Sequence, residues 1–322
     1  MQLFKDYAGE WLKGYVKGCC KNSTYIDYEI HLNKHLNPVF GCKPVDQIAR
    51  KDVKQFIASK LAEGLSPKTV NNIRVTLSGV FSSAFEDELI PGNPAVRLGR
   101  MFKGKDLKEK INPLTKQETL LFLKSAQEHY PKYYPLFLLA VSTGLRQSEI
   151  IGLQPGDVDF NGMFIEVKRG IVRGRVETPK SGKSRRVDMS RQLATVLKQH
   201  ITNTKEETLR HGWKYVPATL FYSESGNPLD PRNVVQRYFN NCLKKAGLRG
   251  IRFHDLRHTF ASLHISQGES LAYVKEQLGH YSIQITVDIY GHLVPGANRE
   301  AADRLLQVQQ PATYPQPEAF QA

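Results

Sequence analysis

Cysteine is scarce in this chain of 322 residues: there are four, Cys19, Cys20, Cys42 and Cys242. None belongs to a C-x-x-C pair and no histidine cluster flanks them, so neither a disulfide framework nor a metal site is expected. Long apolar runs are also missing. The longest, Leu136 to Val141, falls far short of the ~20 residues that span a bilayer. The N-terminus carries Lys5, Asp6 and Glu10 and no apolar signal core. The expectation is a soluble cytoplasmic protein with no membrane partner. Carboxylates are few: 31 Asp and Glu stand against 45 Lys and Arg, for a net charge of +14. Such a balance favours a polyanion, nucleic acid first. The charged fraction of 24% is ordinary, so the excess reflects missing acids rather than a basic tail. There is no G-x-x-x-x-G-K-S/T loop, no G-x-G-x-x-G after a strand, no H-E-x-x-H and no paired acidic motif for magnesium. ATP use and two-metal nuclease chemistry therefore lack support, and no cofactor is expected.

What is present suits about two domains of ~100–200 residues each. Residues 1–97 read as a helical unit. Phe4, Tyr7, Trp11, Leu12 and Tyr15 recur at helical spacing. Ser23-Thr24 can cap a second helix, and Asp46 to Leu61 makes a third. Ser66-Pro67 opens a fourth that turns Val70, Ile73, Leu77, Val80, Phe81 and Phe85 inward. Its other face shows Lys68, Asn72 and Arg74, which can lie along a DNA backbone or simply be solvated. Residues 98–112 read as a basic interdomain linker whose Lys103 and Lys105 are candidate DNA contacts.

The second unit is expected from 113 to 308, with 309–322 as a disordered tail rich in Pro, Gln and Ala. Thr115 and Glu118 form a capping box for a helix that buries Leu120, Leu121 and Leu123. Between about Asp157 and Val187 the period shortens to that of strands. From Lys168 to Arg186 there are eight basic residues and one acidic residue, Glu177. Arg173, Arg175, Lys183 and Arg185 are candidate DNA contacts on this hairpin. The fold class is mainly α with a small antiparallel β-sheet (α+β).

The chemistry-bearing residues cluster late. His254-Asp255-Leu256-Arg257-His258 opens a helix, Leu278-Gly279-His280 follows, and Tyr290 comes ten residues after His280. Cleaving a phosphodiester without metal needs a nucleophile, cations on the non-bridging oxygens and an acid for the leaving oxygen. Arginine suits the clamp because its planar fork binds phosphate oxygens bidentately and stays charged. His254 and His258 both lie near the face that carries Arg257. Spacing alone does not choose between them.

Thr143-Gly144-Leu145-Arg146-Gln147-Ser148-Glu149-Ile150, then His254-Asp255-Leu256-Arg257-His258-Thr259, then Leu278-Gly279-His280, then Tyr290 together resemble the tyrosine recombinase (phage integrase) family. The resemblance covers about 113–300, and the helical unit before it resembles the family's core-binding domain. It implies Arg146 and Arg257 as the phosphate clamp, with His280 donating to the same oxygens. It implies Tyr290 as the nucleophile of a 3′-phosphotyrosyl bond and His254 as the partner of the tyrosine proton. It further implies Lys180 as the leaving-group acid, with Lys183 its close rival, and Glu149 as a supporting residue. His258 and His292 drop to bystanders on resemblance. The implied function is site-specific recombination that integrates or excises a mobile element. The implied partners are double-stranded DNA at a core recombination site, a homo-tetramer on that DNA and DNA-bending accessory proteins. Ala297 to Val308 is expected as a last helix that packs on a neighbouring subunit. The helical unit begins within the first ten residues, so the N-terminal arm-binding domain common in such integrases is expected to be missing or removed. Rival readings are a type IB-like topoisomerase and a non-catalytic DNA-binding regulator. One pattern conflicts with the resemblance: Ile283, Ile285, Val287 and Ile289 alternate as in a strand, where the family implies helix.

Overall fold

The structure is a computed structural model that describes residues 1–99, 101, 111–178, 182 and 184–294. The chain divides into two compact units, Met1–Lys110 and Ile111–Ala322, each with its own apolar core. Among the described residues no helix is long and apolar enough to cross a membrane.

In the first unit, α1 (Phe4–Trp11) runs on through a π-helical turn, Leu12–Val16, to Cys19. α2 (Asn22–His31) continues in the same way through Leu32–Leu36 to Phe40. α3 (Arg50–Ala62) and α4 (Pro67–Glu86) complete it. Ser66 caps α4, its Oγ accepting from the Thr69 N–H at 3.1 Å, and Pro67 sits where a backbone donor would have no partner. Val70, Ile73, Leu77, Val80, Phe81 and Ala84 recur at helical spacing and are buried, which makes α4 the wall on which the others pack. Phe85, expected on that face, is 52% exposed; one step past Ala84 the helix turns it away from the core. The expected Ser23-Thr24 cap also differs, since α2 begins at Asn22 with Lys21 before it. The expected Asp46–Leu61 helix is split into a 3-10 turn, Val45–Gln47, and α3. The Asp52 carboxylate restarts the helix by accepting the Ala49 N–H at 2.9 Å.

The second unit begins with α5 (Lys116–His129), α6 (Tyr134–Thr143) and α7 (Gln147–Gly152). Five short strands follow: β1 (Val158–Asp159), β2 (Phe164–Val167), β3 (Gly170–Val172), β4 (Arg175–Glu177) and β5 (Arg185–Asp188). Then come α8 (Arg191–Arg210) and α9, which starts at Pro231 and passes through a π-helical stretch, Val234–Phe239, to Lys245. α10 (Asp255–Ser266), α11 (Leu271–Leu278) and α12 (Ile283–Tyr290) close the described chain. The sheet is antiparallel in the order β1-β2-β5, and β3 and β4 form a separate hairpin. A mainly α chain with a small antiparallel sheet is thus observed. The expected helix Ala297–Val308 and tail 309–322 lie outside the described residues.

The capping box on α5 forms as expected: Thr115 Oγ1 accepts from the Glu118 N–H at 3.2 Å, and the Glu118 carboxylate accepts the Thr115 N–H at 2.8 Å. Its buried face is different. Leu120 and Leu121 are 60% and 50% exposed, while Thr119, Phe122 and Ala126 face the core. An apolar run circles the helix, so spacing alone did not select the face. The register of the sheet decides more. Ile165 pairs with Val187 and Val167 with Arg185. Paired residues share a face, so Arg185 points the same way as the buried Val167 and Val187, and Arg186 points outward over the Phe164 ring at 4.5 Å. The alternating stretch before Tyr290 is helix, capped by Ser282, whose Oγ accepts from the Gln284 N–H at 3.2 Å.

Candidate active site

Four helix ends and one strand bring the site together. Arg146 is the residue before α7. Its backbone N–H donates to Glu149 Oε2 at 2.9 Å and its guanidinium to Oε1 at 2.8 Å. Arg257 lies in the first turn of α10, 3% exposed. It donates to the carbonyls of Gly144 at 2.9 Å and Leu278 at 2.7 Å. A guanidinium has more N–H donors than these carbonyls use, so Arg257 is held rigidly and can still bind an anion. Both anchoring carbonyls sit at helix ends where the chain turns left-handed. A Cβ on Gly144 (φ +61°) would stand 2.7 Å from Phe260 and from Leu278. Burial, then the Arg146 cation, pushes Arg257 down to about 9, so it remains charged at neutral pH.

Glu149 is 2% exposed and holds the cations apart. Arg185 donates to both of its oxygens, at 3.0 and 2.8 Å, and to the Gln277 carbonyl at 3.0 Å. Burial alone would raise the Glu149 carboxyl. The hydrogen bonds and charge of Arg185, with the charge of Arg146, outweigh it and hold the group at about 2. Arg185 is therefore not the free DNA-binding cation expected from the hairpin's composition; strand register turns it inward. Its side chain passes under Gly279, where a Cβ would stand 2.7 Å from Arg185 Cδ.

Arg146, His254, Arg257, His280, Tyr281 and Ile285 wall a cavity of about 560 Å³. Two arginines stand in the wall beside two imidazoles, so the cavity suits an oxyanion such as a phosphate. Tyr290 is 1% exposed and not part of that wall. Its hydroxyl lies 2.7 Å from Nδ1 of His258. The expectation named His254 as the tyrosine's partner and His258 as a bystander; in this structure His258 is in contact with the hydroxyl. His254 precedes α10 and is exposed at the cavity, whereas His258, one turn on, faces inward at 3% exposure. The i to i+4 spacing put both near one face, and only the position of α12 chose between them.

His280 Nδ1 lies 2.9 Å from Thr286 Oγ1. Burial, then the Arg257 and Arg146 cations, pushes its imidazole down to about 3. Between its ordinary value of 6.5 and about 3, the unfolded chain takes up a proton that the folded site refuses. Stability from this source is intact above pH 6.5 and falls as the pH drops through that window. The urea midpoint should fall between about pH 7 and about pH 5, and fall less in His280→Gln; equal slopes would remove His280 from the acid sensitivity.

The remaining expected contacts are dispersed. Lys68 and Asn72 are exposed on α4. Arg74 is half-buried, donating to Asn71 at 3.1 Å and to the Ala95 carbonyl at 3.2 Å. Arg173 and Arg175 are exposed at the β3–β4 turn. Lys103, Lys105, Lys180 and Lys183 lie outside the described residues. Sequence reasoning set His258 aside, read Arg185 as a DNA contact and did not name Thr286. The last left one signal, a threonine one turn before the tyrosine in an apolar stretch.

Residues 112–296, more than half of the chain, match the Phage integrase family, and residues 3–61 match the Phage integrase N-terminal SAM-like domain. The ICEBs1 integrase of Bacillus subtilis is 29% identical over 290 residues, covering 88% of this chain and 78% of that protein. Among solved structures, the Tn1549 transposon integrase in complex with a circular intermediate DNA superposes with a TM-score of 0.79 at 23% identity, covering 95% of this chain and 99% of that one. A lambda integrase tetramer bound to a Holliday junction gives 0.66 at 22% identity, covering 88% and 78%. The fold is shared with these integrases, and the family match over the unit that holds the site places this chain in the phage integrase family of tyrosine recombinases.

Proposed function

We propose that this recombinase cuts and rejoins DNA at a specific core site through Tyr290, integrating or excising a mobile element. The convergence of Arg146, Arg257 and His280 on one cavity, with Tyr290 behind it on His258, carries this reading. Arg146 and Arg257 bind the non-bridging oxygens of the scissile phosphate, and His280 donates to the same group. A tyrosine with a pKa near about 10 is protonated at neutral pH. It needs an acceptor, and His258 is in hydrogen-bond range. The tyrosine oxygen attacks phosphorus and its proton passes to His258. The bond to the 5′ oxygen breaks, and that oxygen takes a proton from Lys180 or its rival Lys183. The 3′-phosphotyrosyl bond keeps the energy of the broken diester, so a second DNA end reseals it by the reverse step. Lys68, Asn72, Arg173 and Arg175 serve as backbone contacts. Lambda integrase forms a tetramer on a Holliday junction, and the same assembly is assigned here to paired core sites.

The test is incubation of the full chain with a nicked duplex carrying the element's core site. A covalent adduct at the 3′ phosphate is expected, together with junction intermediates on intact sites. Relaxation of any plasmid regardless of sequence, with no junctions, would replace this reading with a type IB-like topoisomerase.

A further inference from the structure

Thr286 has no part in the steps above, yet its placement is unusual. It is 0% exposed, whereas Ile283 and Val287 of the same helix are 44% and 40% exposed. A helix that buries a hydroxyl and leaves isoleucine and valine half in water is oriented by more than apolar burial. The hydroxyl meets Nδ1 of His280 at 2.9 Å.

The direction of that hydrogen bond matters. A neutral imidazole carries one N–H, and the partner of one nitrogen determines which holds it. A phosphate oxygen only accepts, so His280 can serve it only with the proton on Nε2. Nδ1 must then accept, and Thr286 must donate. Helical threonines usually give their proton to the carbonyl one turn back. Thr143, Thr204, Thr208 and Thr259 all do so here. Thr76 gives an internal contrast. It also faces a histidine nitrogen, Nδ1 of His31 at 2.7 Å, but its proton goes to the Asn72 carbonyl at 3.3 Å, which leaves it to accept from the ring. The Thr286 hydroxyl bonds to His280 alone among the described residues, so its proton is available to Nδ1.

We infer that Thr286 is a positioning residue: its hydroxyl donates to Nδ1 of His280 and keeps the ring proton on Nε2, the nitrogen that serves the scissile phosphate. Thr286 lies one turn before Tyr290, so α12 sets the phosphate donor and the nucleophile together. A displacement of α12 that frees Tyr290 from His258 also releases His280.

The inference rests on the reading of His280 as a phosphate donor. Nitrogen-15 spectra of the full chain at neutral pH, with the His280 signals assigned by their loss in His280→Ala, read the tautomer directly. Nε2 protonation is expected in the wild type and in Thr286→Ser. Thr286→Val keeps the shape without the hydroxyl. It should populate the Nδ1-protonated form and slow adduct formation by about 10–100-fold, the size of effect seen when a metal-bound histidine loses its orienting partner. An Nδ1-protonated ring in the wild type overturns the inference, whether or not the valine variant folds. So does a valine variant that keeps both tautomer and rate. If His280→Ala forms adduct at the wild-type rate, the donor reading falls and takes the inference with it. If His280→Ala is slow and Thr286→Val is not, the inference falls alone.

Discussion

Replacing Tyr290 by phenylalanine should leave a protein that binds its core-site DNA and never becomes covalently attached to it. The substitution removes one oxygen from a ring that is otherwise fully packed, so the core around Phe260, Val274 and Leu278 persists. Adduct formation should drop by at least about 10⁴-fold, since no other group stands in for a lost nucleophile. Covalent DNA that survives Tyr290→Phe would refute the assignment. The same assay separates the two histidines. His258→Ala removes the group in contact with the tyrosine hydroxyl and should slow attack by about 10²–10⁴-fold. It should also flatten the limb of the pH–rate profile on which the acceptor loses its proton. His254→Ala should keep that limb, because His254 lines the cavity while His258 is in contact with the hydroxyl. The reverse pattern would restore His254 as the acceptor.

Arg185→Ala at the start of β5 should be strongly destabilising, while Arg186→Ala next to it should be nearly silent. Removing Arg185 leaves Glu149, 2% exposed, without its bidentate partner. Stranding one member of a buried ion pair costs about 3–5 kcal/mol. Arg186 only covers the outer ring of Phe164, which is worth about 0.5–1 kcal/mol. The carboxyl of Glu149 sits at about 2 in the folded chain against an ordinary 4.5. The stabilisation is therefore fully present above pH 4.5 and is lost as the pH falls through about 2. The gap between wild type and Arg185→Ala should shrink on acidification through that window. The chain has two tryptophans, Trp11 and Trp213, one in each unit. In a Trp11→Phe background the fluorescence of Trp213 follows the second unit during urea unfolding. Equal midpoints for the two arginine variants would sink the argument from strand register.

Much of this protein was legible before any coordinates. Spacing of Val70, Ile73, Leu77 and Val80 marked the packing face of α4, and Thr115 with Glu118 marked the start of α5, because helix periodicity and capping are local physics. The ordered motifs around Arg146, Arg257, His280 and Tyr290 carried the resemblance to the family, because a shared order and spacing of such residues is itself sequence information. Tertiary structure decided what local rules leave degenerate. Leu120, Leu121 and Phe122 are equally apolar, and the neighbours of α5 chose which of them is buried. Ile283 to Ile289 alternates like a strand, yet it is a helix because the buried pair on it is Thr286 and Tyr290. Arg185 and Arg186 are identical in sequence terms, and the pairing of β5 with β2 sent one to Glu149 and the other to the surface. His254 and His258 share a helix face to within one turn, and the packing of α12 against α10 gave the tyrosine to His258. In each case the sequence set the chemical type of the group. A contact across a long loop set its partner, and no rule of spacing reaches that far.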